Sequence, residues 1–184
     1  MPRFDADWID YLLRPERRGS PPAEDVLSHL SIGSGSVVAD VGCGPGFFTL
    51  PLARLVAPGG RVYALDVEPS MLDLVTARSI AAGLSGIESV RVESGRLPLD
   101  DARADLTLCG LVLHDLTDQP GMARELIRIT RPGGQIAVVE WLPGAGDSRP
   151  NRLRPAEVIS LFEDAGWRMG KVTPLGEQQF LVTG

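Results

Sequence analysis

The stretch Val38-Ala39-Asp40-Val41-Gly42-Cys43-Gly44-Pro45-Gly46 decides how the rest of the chain is read. Its first part, continuing from Val37, is short, apolar and β-branched, as a buried strand is. Three glycines at alternate positions follow. Phe47 to Val56 then carries apolar residues at helical spacing until Pro58-Gly59-Gly60 stops it. Glycine reaches positive φ without strain and leaves no Cβ in the way of a ligand. In doubly wound sheets, ligands bind outside the carboxyl ends of the strands, where a strand hands over to its helix. Gly42, Cys43, Gly44 and Gly46 therefore mark a ligand cradle, with a plain tight strand-to-helix turn as the alternative.

Spacing narrows the ligand. The dinucleotide fingerprint G-x-G-x-x-G aims a helix N-terminus at a pyrophosphate. Here the pattern is G-x-G-x-G, and Pro45 removes one N–H donor, which weakens that reading. Asp66 closes the next strand, 20 residues after Gly46. A carboxylate there can accept hydrogen bonds from both ribose hydroxyls of an adenosine. Its other reading is a helix N-cap, for which Glu68-Pro69-Ser70 supplies better candidates.

Outward from the loop, strand-like and helical patterns alternate. Arg61 to Asp66, Ile87 to Val92, Asp105 to Leu111 and Gln135 to Trp141 read as strands. Ser70 to Ala82 and Gln119 to Arg131 read as helices, the second stopped by Pro132-Gly133-Gly134. Such alternation implies right-handed βαβ crossovers and a parallel sheet covered on both faces. Pro155 to Ala165 is a further helix, with Gly166 after its end. Trp167 to Thr173 and Gln178 to Thr183 are then joined by Pro174-Leu175-Gly176-Glu177, too short for anything but an antiparallel hairpin. The expectation is an α/β fold: a doubly wound, Rossmann-like, mostly parallel seven-stranded sheet ending in an antiparallel hairpin. Phe4 to Leu13 and Ala23 to Leu30 read as short helices before the sheet. Residues 1–184 are read as one domain, with 1–21 a helical extension whose Trp8 and Tyr11 could serve as a lid.

Composition bounds the partners. With 43% hydrophobic and 23% charged residues in 184, the chain can bury its own core without a metal or disulfide staple. Cys43 and Cys109 lie in apolar segments without C-x-x-C spacing, so no metal site or disulfide is expected and a reducing cytoplasm fits. The net charge of −6 lends no support to nucleic acid or an anionic membrane surface as partner. No apolar run nears the ~20 residues of a membrane span, and the N-terminus has no signal-peptide core.

At this point the residues resemble a known family. Val38 to Thr49 is similar to motif I of the class I S-adenosylmethionine-dependent methyltransferases, nearest the ubiquinone/menaquinone-biosynthesis branch. Ala64-Leu65-Asp66-Val67-Glu68-Pro69-Ser70-Met71-Leu72 resembles the segment after the second strand, and Leu126 to Gly134 the turn before the fifth. The resemblance covers roughly residues 22 to 184 and implies S-adenosylmethionine as cofactor. It implies that Asp40 and the Gly42–Gly46 backbone hold the methionine end, that Asp66 binds the ribose, and that Val67 and Met71 pack on the adenine. The family's Gly-Asp-Ala before a Leu-Pro pair is replaced by Val92-Glu93-Ser94-Gly95-Arg96. Glu93 then aligns with the acid at the adenine amino group, with a solvated strand-end carboxylate as its alternative, and Ser94 with the residue offering its N–H.

Methyl transfer from a sulfonium needs positioning above all, which can contribute ~7–11 kcal/mol. A general base adds roughly 10²–10⁴-fold where the acceptor must lose a proton. His114, after the fourth strand, and Glu140, closing the fifth, are the catalytic candidates, with shaping of the pocket as the alternative for His114. Only about thirteen residues separate Trp141 from Pro155, where many relatives insert acceptor-binding elements. The acceptor side would then be open, completed by the N-terminal helices, or completed by a second chain in a homodimer. A small-molecule acceptor is expected. The competing functions are a nicotinamide-dependent oxidoreductase and a non-catalytic cofactor-binding module of the same fold.

Overall fold

The computed structural model describes Ile9, Leu12 and residues 20–144 and 151–184. Trp8 and Tyr11, and with them the lid reading, lie outside the described residues, as does 145–150 of the segment before the last helix. The glycine loop's strand is β1 (Val37–Val41), followed by α2 (Thr49–Val56). Preceding it, α1 is Ala23–Leu27, shorter than the expected Ala23 to Leu30. Then come β2 (Arg61–Asp66), α3 (Pro69–Ala81), β3 (Ile87–Arg91) and β4 (Ala104–Gly110). After a 3-10 turn at Leu113–Asp115 follow α4 (Gln119–Ile129), β5 (Thr130–Trp141), α5 (Pro155–Asp164), β6 (Lys171–Leu175) and β7 (Gln179–Thr183).

All seven strands join one sheet in the order β3-β2-β1-β4-β5-β7-β6. The five strands from β3 to β5 run parallel, while β7 is antiparallel to both β5 and β6. The chain winds outward from β1 to β2 and β3, then crosses to β4 on β1's other side. That switch opens a crevice at the carboxyl ends of β1 and β4. Because side chains alternate across a strand, β1 buries Val38 toward α1 and α2, and Ala39 and Val41 toward α4 and α5. On the second face α5 presents Val158 and Phe162 and α4 presents Leu126 and Ile129, all fully buried. No helix among the described residues is long and apolar enough to cross a membrane.

Two element boundaries differ from the sequence reading for definite reasons. Helix α4 ends at Ile129, and β5 starts at Thr130, before the expected turn. The Pro132-Gly133-Gly134 turn lies inside β5 as an irregularity: Ala104 pairs with Thr130, but Leu106 already pairs with Gln135. Gly133 supplies the positive φ of 74° for that excursion. At the C-terminus, the expected strand Trp167 to Thr173 is shifted to Lys171–Leu175. Trp167 and Gly166 instead close α5, donating to the carbonyls of Phe162 and Glu163, with Gly166 at φ 90°. Pro174, read as turn, lies within β6, which among the described residues has β7 as its one partner strand, so a missing N–H at this sheet edge is tolerated.

Candidate active site

The carboxyl ends of β1, β2, β4 and β5 enclose a cavity of about 350 Å3, within the ~300–1,000 Å3 usual for small-molecule sites. The glycine loop forms its base, each glycine serving differently. Gly42 has φ 74°, and a Cβ on it would penetrate the methyl groups of Val112. Gly44, at φ 51°, faces open space, so this is where the loop leaves room for a ligand. Gly46 does not line the cavity; a Cβ there would press on Leu50 and Val75, so it serves helix packing. The guanidinium of Arg78 on α3 donates to the Pro45 carbonyl and clamps the loop from behind.

On the opposite wall, Leu111 holds φ 61°, a left-handed conformation that a branched aliphatic residue adopts at a cost. Its N–H donates to the Val139 carbonyl at 2.8 Å. This bend turns the chain so that Val112 seats on Gly42 and the 3-10 turn carries His114 and Asp115 to the cavity wall.

Two acids serve the loop from below. Asp66 lines the cavity, and its carboxylate accepts the N–H groups of Gly44 (2.8 Å) and Glu68 (2.9 Å), tying loop to strand. Burial holds its pKa above the usual carboxylate value despite those donors. Asp40 is 1% exposed and lies beneath the cavity surface, accepting the Thr49 hydroxyl at 2.6 Å. Desolvation, with repulsion from Asp66, pushes its pKa up to about 7. The same acids and burial raise the Cys43 thiol, so Cys43 lines the cavity as a protonated, unreactive group.

His114 and Glu140, separate candidates in the sequence, are joined here. His114 is 4% exposed and Glu140 fully buried. The imidazole Nδ1 lies 2.7 Å from Glu140 Oε2, and the His114 backbone N–H donates to Glu140 Oε1 at 3.1 Å. His114 lines the cavity and Glu140 does not. The imidazole Nε2 lies 3.5 Å from the carboxylate of Asp115, which also lines the cavity.

Of the expected adenine contacts, Val67 and Met71 line the cavity. Glu93 and Ser94 do not; Glu93 points to solvent beside Arg91, and Ser94 is exposed. Their neighbours Val92 and Leu97 line the cavity instead. Trp141, at the end of β5, stands on the wall, as do Phe48 and Val112, which sequence reading missed. Their only sequence signal is apolarity, which packing residues share.

Carboxylates at Asp40, Asp66 and Asp115 in and around an apolar cavity give it a negative field, stronger for the low dielectric. That field, with the open space over Gly44, fits a ligand carrying cationic groups on an apolar body. S-adenosylmethionine, with an ammonium, a sulfonium and an adenosine, has this chemistry. No group of histidine, cysteine and acidic residues among the described residues could hold a metal ion.

Comparison with known proteins agrees. A family model described as a methyltransferase domain matches residues 39–138. The chain belongs to the class I S-adenosylmethionine-dependent methyltransferase family. A crystal structure of a SAM-dependent methyltransferase from Aquifex aeolicus superposes with a TM-score of 0.89 at 30% identity, covering 98% of both chains. The demethylmenaquinone methyltransferase of Geobacillus stearothermophilus is 31% identical over 117 residues, 64% of this chain and 50% of its own length. The Pseudomonas putida ubiquinone/menaquinone biosynthesis C-methyltransferase is also 31% identical, over 59% of this chain and 43% of its own length. This chain thus spans about half the length of the curated relatives it matches. S-adenosylmethionine is the cofactor of the family, and the cradle built here suits it.

Proposed function

We propose that this protein transfers a methyl group from S-adenosylmethionine to a small, largely apolar acceptor. The observation that carries the reading is the juxtaposition of the open Gly44 cradle with Asp66 on one side of an apolar cavity. When bound, the cofactor supplies a methyl group on a sulfonium, already activated for displacement. Asp66 retains acceptor capacity beyond its backbone donors and receives the ribose hydroxyls. Met71, Val67, Val92 and Leu97 cover the adenine, while the loop backbone and Asp40 beneath it receive the methionine end, Asp40 directly or through a water. The chain's remaining task is to exclude water and hold the acceptor's nucleophilic atom in line.

The acceptor meets Phe47, Leu111, Leu116, Met122 and Trp141, with Leu12 reaching the cavity from the N-terminal segment. That contact supports an acceptor side completed by the N-terminal residues rather than by an insertion before α5. The names of the curated relatives make a quinol-type ring the first acceptor class to test. Calorimetry with S-adenosylmethionine and with NADH checks the cofactor: binding of the first alone is expected, and binding of NADH alone means an oxidoreductase. Formation of S-adenosylhomocysteine over an acceptor panel then separates an enzyme from a binding module.

A further inference from the structure

The strongest feature that cofactor binding leaves unused is the buried pair His114–Glu140. A carboxylate without exposure is costly unless its oxygens are satisfied. Both oxygens of Glu140 are turned on one residue, Oε1 to the His114 backbone N–H and Oε2 to Nδ1 of its ring. An ionised carboxylate only accepts, so Nδ1 must carry the proton it accepts. The backbone contact stops the carboxylate from rotating away, and Trp141 N–H adds a donor to Oε2 at 3.3 Å. The Leu113 carbonyl, one residue before the histidine, is fixed by the Gln119 amide of α4. The ring is thus fixed in place, and the tautomer with its proton on Nδ1 is the one that satisfies an ionised Glu140. The side chain that reaches the cavity is the imidazole, not the carboxylate.

Resting on the methyltransferase reading above, we propose that His114 is the general base of the site and Glu140 its positioning residue, and that the acceptor carries a proton it must lose. The acceptor class is a phenol, an enol or a comparably acidic C–H. In the step, the acceptor's O–H or C–H bond breaks with its electron pair left on the acceptor. The proton forms a bond to Nε2, and the imidazolium so made faces the Glu140 carboxylate. Among the described residues, Glu140 from β5 and Asp115 from its own turn face the ring, and the Cys109 thiol of β4 lies near Glu140. Cys109 is kept protonated by burial and by Glu140. Asp115 is 68% exposed and 3.5 Å from Nε2, so solvent weakens its pull, whereas Glu140 acts in full.

The test uses the whole chain and Glu140→Gln. An amide has one accepting oxygen; kept on the His114 backbone N–H, it turns its NH2 to Nδ1 and forces the proton onto Nε2. The chain has two histidines, and His29 is exposed, so nitrogen-15 histidine spectra resolve His114 directly. The expected wild-type spectrum at pH 7.5 shows Nδ1 protonated and Nε2 unprotonated, and the variant shows the reverse. Both proteins should bind S-adenosylmethionine within about threefold. With phenol, catechol and 1,4-naphthohydroquinone as probe acceptors, kcat should fall about 10²-fold in Glu140→Gln and recover in part in Glu140→Asp. The acid limb of the wild-type rate profile should move to lower pH in the glutamine variant, because an imidazolium without its carboxylate is less favoured. A wild-type His114 that is Nε2–H or doubly protonated at pH 7.5 overturns the proposal. So does an unchanged kcat in the glutamine variant, or no turnover of any protic probe by a wild type that binds the cofactor. Failure of the wild type to bind S-adenosylmethionine overturns the underlying methyltransferase reading instead, and calorimetry reports that separately.

Discussion

Asp40 and the glycines are where single residues make the sharpest predictions. With its pKa raised from 3.8 to about 7, Asp40 binds protons more tightly folded than unfolded. Its contribution to stability is therefore fully present below pH 4 and is lost as pH rises through about 7. Asp40→Asn should flatten that dependence and raise Tm at pH 8, by ~2–4 °C for each kcal/mol recovered, while weakening cofactor binding; thermal melts from pH 5 to 8 and calorimetry check both. For the wild type, S-adenosylmethionine affinity should fall below pH 7, with a proton released on binding, visible as a buffer-dependent calorimetric enthalpy. Gly42 and Gly44 should separate stability from binding. Gly42→Ala drives a methyl into Val112 at positive φ and should lose stability and binding together. Gly44→Ala meets nothing in the protein, so it should cost only about 1–2 kcal/mol of backbone strain yet reduce cofactor affinity at least tenfold. Equal effects of the two alanines on Tm and Kd would count against the cradle. The Gly loop, Asp40 and Asp66 stand out in the sequence because the chemistry proposed for them depends on residue type at fixed spacing. The side to which Glu93 and Ser94 turn was not legible, because a strand-end acid reads the same in sequence whether it turns to a cavity or to water.

Among the elements, α4 shows how local chemistry fixes a helix that carries the wall of the site. Asp118 caps it, its side chain accepting the Gly121 N–H at 2.8 Å. Asp118→Ala should cost about 1 kcal/mol, seen as a Tm loss of a few degrees with cofactor affinity unchanged. Further along α4, Arg128 bonds Glu125, Asp101 and the carbonyls of Leu97 and Leu99, so one side chain staples the helix to the segment bearing Leu97. The boundary between α4 and β5 was legible as a Pro-Gly-Gly break, but its placement was not. Thr130 is drawn into the strand by pairing with Ala104, a partner 26 residues away that local periodicity does not register. The shift of β6 has the same origin: Trp167 serves the end of α5, and the strand begins only where Thr183 of β7 meets Lys171.

At the scale of the whole molecule, a ligand that binds only the folded state should stabilise it by about 2.7 kcal/mol at one hundred times its Kd. For a chain of 184 residues that is a rise in Tm of roughly 5–10 °C. S-adenosylmethionine should produce it and NADH should not; equal shifts from both would remove the argument for the cofactor. The sequence by itself determined the alternation of strands and helices, the parallel sheet, the closing hairpin and the glycine cradle, because periodicity, turn chemistry and glycine spacing are local properties. Only the tertiary structure decided that Val112 rests on Gly42, that Asp40 lies beneath the cavity rather than in it, and that Glu140 reaches His114 across 26 residues. Those contacts join the ends of strands distant in the chain, brought together by sheet order. The glycine loop thus forms the base of the site, and the wall facing it exists only once β4 and β5 stand beside β1.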